Sequence, residues 1–260
     1  VVDDIADVKR IVVIFPKRMG DALMCTPALK LLTRAFPGIP VDAIAESSLG
    51  ETVARRSGLV EQTYTTPGAQ DLAAIAGDYQ LGVNLHYAVN KKLDFLKKLC
   101  EINPRMKVVF PGPLDDSVHR AKGNIESLTR TLGLPNPNET IPYCFKTTSA
   151  DKASVVEKLM SQGVDPENPN IIVFQLGYHA MQKGRRWWRA RRKKHERRAW
   201  SYAKLAELGN ALRSLIPEVA VVLQGAGKEA ALARKYLKVS PWAANLVGIE
   251  VGELASLLEL

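Results

Sequence analysis

The sequence predicts an α/β protein built from two Rossmann-like domains, each with a parallel sheet. Three observations predict it. Short apolar runs rich in β-branched residues alternate with segments of helical periodicity, as expected for strands buried on both faces beneath covering helices. The stretch Leu134–Pro142, with three prolines, interrupts that alternation. The alternation then restarts with a second buried-strand run at Ile171–Gln175. The expected domains are residues 1–145 and 169–260, joined by a crossover at 146–168.

Local signals justify each element in turn. Ile11–Phe15 reads as a buried parallel strand, followed by the loop Pro16–Asp21. Leu23, Leu29, Leu32, Ala35 and Phe36 mark a helix. Either Thr26 is its N-cap with Pro27 at the first helical position, or it starts earlier, near Gly20, with Pro27 tolerated in its first turns. Pro37-Gly38-Ile39-Pro40 ends it, and Val41–Ala45 is the next strand. That order is a βαβ unit, whose strands run parallel. Further strands are expected at Val60–Tyr64, Tyr79–Leu85 and Met106–Phe110. Helices are expected at Gly50–Ser57, Gln70–Ala76, Asn90–Leu99 and Asn124–Leu132, the last with Gly133 as its C-cap.

After a helix at Asp151–Gln162, the second domain reads as strand Ile171–Gln175, helix Tyr202–Leu215 and strand Val219–Gln224. A Gly-Ala-Gly turn, helix Lys228–Leu237, strand Asn245–Val247 and helix Gly252–Leu258 follow. This is fewer strands than a complete doubly wound sheet carries, and the last helical pattern runs to the end at Leu260. The second domain is therefore expected to be incomplete at its C-terminus, with the native chain continuing.

Composition narrows the class. The 260 residues are 46% hydrophobic and 24% charged, ordinary for a globular protein and unlike a disordered or collagen-like chain. Cys25, Cys100 and Cys144 are widely spaced and form no C-x-x-C, so reduced core residues of a cytosolic protein are expected. The acidic opening Val1–Asp7 carries no apolar h-region, so no secretory leader is expected. The net charge of +9 is concentrated in Lys183–Arg198, which holds ten Lys/Arg and a single acid, Glu196. The remainder of the chain is balanced, so the basic character belongs to that segment and not to the whole surface.

Ligands of open parallel sheets bind beyond the carboxyl ends of the strands, where helix N-termini offer free N–H groups. Two loops stand there: Pro16–Asp21, and the residues from Leu176 onward. Domains that face each other bring these loops to one cleft. Asp21 follows Gly20, which permits a close turn, and a carboxylate at a helix start stays ionised and suits a general base. Its spacing equally fits a plain helix cap. The Lys183–Arg198 cluster suits developing phosphate charge, and equally a solvated loop, a nucleic-acid patch or a membrane-surface patch anchored by Trp187 and Trp188. Gln224–Glu229 is a strand–turn–helix that is too short for G-x-G-x-x-G and lacks the P-loop G-K-[ST]. There Glu229 suits either a ribose hydroxyl or a helix start. His86, His119, His179 and His195 lack H-x-x-x-H spacing, so no metal site is expected. There is no D-x-D, and no G-x-S-x-G elbow of an α/β-hydrolase.

The segment Ile11–Leu29, IVVIFPKRMGDALMCTPAL, resembles the opening of glycosyltransferase family 9, the ADP-heptose:lipopolysaccharide heptosyltransferases: an apolar strand, a short loop with G-D, then T-P-A-L. Further resemblances follow in order at Tyr79–His86, Ile172–Gly177, Arg198–Leu205, Leu223–Glu229, Asn245–Gly248 and Glu253–Ala255. They span nearly the whole chain. The resemblance implies a GT-B fold and an inverting, metal-independent transfer without a cofactor. The ADP-heptose donor would bind the C-terminal domain, and the anionic lipopolysaccharide inner core the N-terminal one.

By position, Asp21 matches the family's base, and Lys17, Arg18, Gly20 and His86 fall to the acceptor. Glu229 matches an acid near the ribose, with Gly177 and Gly225 beside it. Arg198 stands where many members carry a lysine near the diphosphate, and Lys183 joins it. Gln175-Leu176-Gly177 stands where the family has h-P-G, and the family's D-[ST]-G-P-x-x-H segment is expected beyond Leu260. The implied location is cytoplasmic, peripheral to the inner membrane. A member using another sugar nucleotide is the alternative within the family. A non-catalytic nucleic-acid-binding protein using residues 183–198 is the alternative from another class, and it leaves the Gly20-Asp21 loop unexplained.

Overall fold

The computed structural model describes residues 7–85, 94–110, 117–177 and 200–260, and the chain divides into two units, Val1–Lys146 and Thr147–Leu260. The first runs β1 (Ile11–Phe15), α1 (Met19–Leu23), α2 (Thr26–Ala35), β2 (Val41–Ala45), α3 (Ser48–Ser57), β3 (Thr63–Thr65), α4 (Ala69–Ile75), β4 (Leu81–Asn84), α5 (Asp94–Ile102), β5 (Lys107–Val109) and α6 (Arg120–Leu132). Its strands form one parallel sheet in the order β3-β2-β1-β4-β5. The chain order thus reverses at β1, which pairs Ile11 with Val41 on one side and with Leu81 on the other. That reversal is the topological switch of a Rossmann-like sheet.

Every residue of β1 and β2 is buried, because helices cover both faces. Ile11, Val13 and Phe15 pack with Leu29 and Leu32 of α2, Val53 of α3 and Leu128 of α6. Val12 and Ile14 pack with Leu72 of α4 and with Leu96 and Leu99 of α5. The second unit runs α7 (Ser149–Met160), β6 (Ile171–Gln175), α8 (Tyr202–Leu215), β7 (Ala220–Gln224), α9 (Ala230–Leu237), β8 (Ala244–Asn245) and α10 (Val251–Glu259). Its described strands form a parallel sheet in the order β6-β7-β8. Phe174, Val221 and Leu223 pack on Ala206 of α8 and Tyr236 of α9. Val222 and Ala244 pack on Val155 and Leu159 of α7 and Leu257 of α10.

The α/β class and both parallel sheets agree with the sequence reading. Several boundaries move, and three of the differences have a local cause. β3 lies at Thr63–Thr65, later than the apolar residues suggested, because Leu59 and Val60 pack into the core from the loop before it. α6 begins at Arg120, a full turn before Asn124, without a side-chain cap to announce it. The helix after β1 is split into α1, which starts beside Gly20, and α2, whose N-cap is Cys25 where Thr26 was expected. Pro27 cannot donate to the Leu23 carbonyl, and Thr26 Oγ1 supplies that hydrogen bond at 2.8 Å. Gly133 is the C-cap of α6 at φ 68°, a left-handed conformation that suits glycine. None of the helices among the described residues is long and apolar enough to cross a membrane.

A buried carboxylate fixes the amino ends of the first sheet. Asp42, on β2, is fully buried. It accepts from Arg10 Nε at 2.8 Å and Nη2 at 3.2 Å, from the Tyr79 hydroxyl at 2.8 Å and from the Gln62 backbone N–H at 3.1 Å. These donors precede β1, β4 and β3 respectively. Burial, reinforced by the bond to Asp42, pushes the Tyr79 hydroxyl far above its ordinary pKa. Removing one member of such a network leaves buried partners uncompensated. Asp42→Ala is therefore expected to lower the unfolding free energy by about 3–5 kcal/mol in urea titrations. A loss within the ~1 kcal/mol of a surface pair would contradict this account.

The second unit has a smaller counterpart. Glu253, in the first turn of α10, accepts from Ser154 and Lys158 of α7 and from the Glu250 N–H at 2.8 Å. Burial alone would raise its pKa, but these hydrogen bonds outweigh burial and hold it below the ordinary carboxylate value. A carboxylate lowered in the folded state adds stability above its unfolded pKa and loses it as pH falls through the folded one. Glu253→Gln is expected to be less stable than wild type at pH 7, and the difference should shrink on acidification toward pH 3. An equal deficit at both pH values in denaturation curves would count against it.

Candidate functional site

The first cluster sits at the carboxyl end of β1, the middle strand of its sheet. Pro16-Lys17-Arg18 leaves the strand and α1 begins at Met19. Lys17 and Arg18 are exposed, and the Lys17 carbonyl accepts from Ser47 Oγ at 2.6 Å, which ties this loop to the start of α3. Arg18 is the N-cap residue of α1 and makes no side-chain cap bond. Asp21 is the third residue of that helix, so the reading of Asp21 as a plain cap is corrected. The close turn expected of Gly20 is also corrected. Gly20 is helical, and a Cβ there would meet nothing within 4 Å.

The Asp21 side chain is 17% exposed and Oδ1 lies 3.3 Å from Arg120 Nη1 of α6, itself half-exposed. The turn behind it is braced from three directions. Cys25 Sγ donates to the carbonyls of Asp21, at 3.2 Å, and of Leu85, at 3.4 Å. Asn124 Nδ2 donates to the Met24 carbonyl at 3.1 Å. The Cys144 N–H donates to Thr26 Oγ1 at 3.0 Å. Burial pushes the Cys25 thiol well above its ordinary pKa, and the Asp21 charge adds to that. Cys25 is thus an inert structural donor and not a nucleophile.

The second cluster sits at the carboxyl ends of β6 and β7. Gly177 follows β6, Gly225 follows β7, and Glu229 closes the short 3-10 turn Gly227–Glu229 before α9. Glu229 is 5% exposed. A Cβ on Gly177 would stand 2.5 Å from Glu229 Cγ and 2.6 Å from Oε1, and a Cβ on Gly225 would stand 3.1 Å from its Cβ. The two glycines therefore make room for this one carboxylate. Its Oε2 is buried and has no hydrogen-bond partner among the described residues. Gln175 Nε2 donates to the Gly177 carbonyl at 2.9 Å and stiffens the loop where the family pattern has proline. An orphaned buried acceptor suits a ligand hydroxyl.

The structure brings Lys17, Arg18, Gly20 and Asp21 together in the first unit, and Gly177, Gly225 and Glu229 in the second. His86, Lys183 and Arg198, with the basic stretch and Trp187 and Trp188, lie outside the described residues. Arg120 and Asn124 were not singled out from the sequence. Their i, i+4 spacing and the parallel Lys122–Glu126 pair, 3.7 Å apart, are the signals that α6 starts early enough to carry both on one face. Among the described residues, no group of three or more His, Cys, Asp or Glu is placed to hold a metal ion.

The class these features define is a pair of nucleotide-fold sheets with functional groups at their carboxyl ends. No protein-family model matches the sequence, and no curated relative does. Solved structures match the fold. A glycosyltransferase of family 9 from Veillonella parvula is 17% identical, with a TM-score of 0.72 over 96% of this chain and 73% of that one. The E. coli ADP-heptose lipopolysaccharide heptosyltransferase II is also 17% identical, with a TM-score of 0.66 over 96% and 76%. An E. coli heptosyltransferase solved with ADP is 16% identical, with a TM-score of 0.66 over 96% and 78%. The fold of this chain is that of these transferases.

The Glu229 cradle yields a direct test. Gly177→Ala puts a methyl group into the Glu229 side chain, and overpacking of this kind costs about 1–3 kcal/mol. The melting temperature of Gly177→Ala is expected to fall, and Glu229→Ala in the same chain should restore most of the loss. Independent, additive effects of the two substitutions would show that the carboxylate does not occupy that space.

Proposed function

We propose that the chain is a glycosyltransferase that moves L-glycero-D-manno-heptose from ADP-heptose to the inner core of lipopolysaccharide. The observation that carries this reading is Asp21. It lies just past the central strand of a heptosyltransferase-like fold, inside the family-like P-K-R-M-G-D…T-P-A-L run, with its carboxylate partly open to solvent.

In this reading Asp21 accepts the proton of an acceptor hydroxyl as that oxygen attacks the anomeric carbon. The new glycosidic C–O bond forms while the bond from that carbon to the diphosphate oxygen breaks, and ADP leaves with the electron pair. Attack opposite the leaving group inverts the anomeric centre. Lys17 and Arg18 are suited to the carboxylates and phosphates of an anionic acceptor, and Gly20 and His86 belong to the same acceptor side. Glu229 Oε2 accepts from a ribose hydroxyl of the donor, with Gly177 and Gly225 leaving space for it. Arg198 and Lys183 meet the diphosphate, whose charge grows as it departs. These cations take the part a metal plays elsewhere, and no cofactor enters. The reaction belongs at the cytoplasmic face of the inner membrane, where such an acceptor is built. The composition of the basic 183–198 stretch suits anionic lipid or acceptor in this reading, in preference to nucleic acid.

Loss of a general base costs about 10²–10⁴-fold in rate. Asp21→Ala is expected to lose turnover by that order while keeping the thermal stabilisation given by ADP. ADP should raise the melting temperature more than UDP or GDP at equal concentration. Stabilisation by UDP or GDP instead would point to a different sugar nucleotide, and near-normal turnover of Asp21→Ala would remove Asp21 from the mechanism.

A further inference from the structure

α6 touches the Asp21 turn at two levels. Arg120 approaches the carboxylate at 3.3 Å. One helical turn deeper, Asn124 donates to the Met24 carbonyl at 3.1 Å and lies 4.0 Å from Cys25 Sγ. Met24 closes α1, and its own N–H donates to the Gly20 carbonyl at 3.1 Å. Holding the Met24 carbonyl therefore fixes the end of the single turn that carries Asp21. Asn124 is 3% exposed. It lines a small hollow with Asn84, Leu85, Val109 and Leu128, at the carboxyl ends of β4 and β5.

The amide is an expensive choice for that place. Its donor end is committed to Met24, and its Oδ1 is buried without a hydrogen-bond partner among the described residues. A buried acceptor left unpaired destabilises the fold. Leucine would fill the same largely apolar hollow without that penalty, so packing alone does not account for an asparagine. What only the amide supplies is the hydrogen bond to the Asp21 turn.

We infer that Asn124 is a positioning residue for Asp21, holding the turn so that the carboxylate meets the acceptor hydroxyl in line. This inference rests on the reading of Asp21 as the base of a glycosyl transfer. Misplacing a reacting group by about an ångström costs up to ~10²-fold in rate. Two variants, Asn124→Leu and the smaller Asn124→Ala, guard against a single misfolded protein. In the full chain each is expected to lower kcat by roughly 10- to 100-fold, with KM for donor and acceptor changed by less than about threefold. Thermal stabilisation by ADP should match wild type.

The decisive measurement is the double-mutant cycle with Asp21→Asn. A residue acting through Asp21 has nothing left to position in that background, so Asn124→Leu should lower the residual rate no further. The same fold-loss in both backgrounds, or a wild-type kcat for the folded variants, overturns the inference and leaves the transferase reading intact. Absence of transfer by the wild-type chain overturns both.

Discussion

Asp42 is the constraint on which the first unit depends. A carboxylate with no exposure, in a strand buried on both faces, survives only if hydrogen bonds replace its water. Here the replacements come from Arg10, Gln62 and Tyr79, just ahead of β1, β3 and β4. One side chain therefore fixes four neighbouring strands relative to each other at their amino ends. A slip of one residue in β2 would turn Asp42 onto the other face and break every one of these bonds. The register that results, Phe15 beside Ala45 and Ile14 beside Asn84, sets where the chain emerges at the opposite edge. The Asp21 loop begins there. Asp42 and Asp21 thus sit at opposite ends of the strands of the same sheet.

The second unit reaches a similar division by weaker means. Glu253 ties α10 to α7 through Ser154 and Lys158, on the face of the sheet where Val222 and Leu257 pack. Glu229 lies at the carboxyl ends of the strands, in space left by two glycines, with one oxygen unpaired among the described residues. A fold meets the cost of an orphaned acceptor where a ligand supplies the missing donor. Glu253 is satisfied by its own helices, whereas Glu229 keeps an acceptor without a partner among the described residues, and this contrast supports the donor-side role proposed for Glu229.

Much of this was legible in the sequence. Ile11–Phe15, Val41–Ala45 and Ile171–Gln175 stand as strands where the β-branched runs said they would, and Gly133 ends α6 as expected. Asp21 was legible as a residue of interest because it stands at a helix start after a buried strand and within the run Ile11–Leu29 that resembles the family's opening. Its partners were not. Arg120 and Asn124 are 99 and 100 residues away from the atoms they touch, and spacing rules reach only about one helical turn. The start of α6 hid because Arg120-Ala121-Lys122-Gly123 is polar and glycine-containing, and His119 offers no side-chain cap. Asp42 hid for the opposite reason: inside V-D-A-I-A it looks like the polar position of a half-buried strand, and only the covering helices make it a buried charge.

The two aspartates of the first unit show why location decides what a carboxylate does. Asp42 collects four hydrogen bonds and no solvent, so its charge is spent on the fold. Asp21 keeps 17% of its side chain open and meets Arg120 through one 3.3 Å contact to a half-exposed guanidinium. In the proposed role, an acceptor hydroxyl would replace this contact. The backbone under Asp21, by contrast, is held by Cys25, Thr26 and Asn124. A general base needs that combination, because a loose backbone would lose orientation and a tightly paired carboxylate would lose basicity. A braced backbone beneath a partly open carboxylate at the end of β1 supports the role proposed for Asp21, and the spacing of residues along the chain could not have specified it.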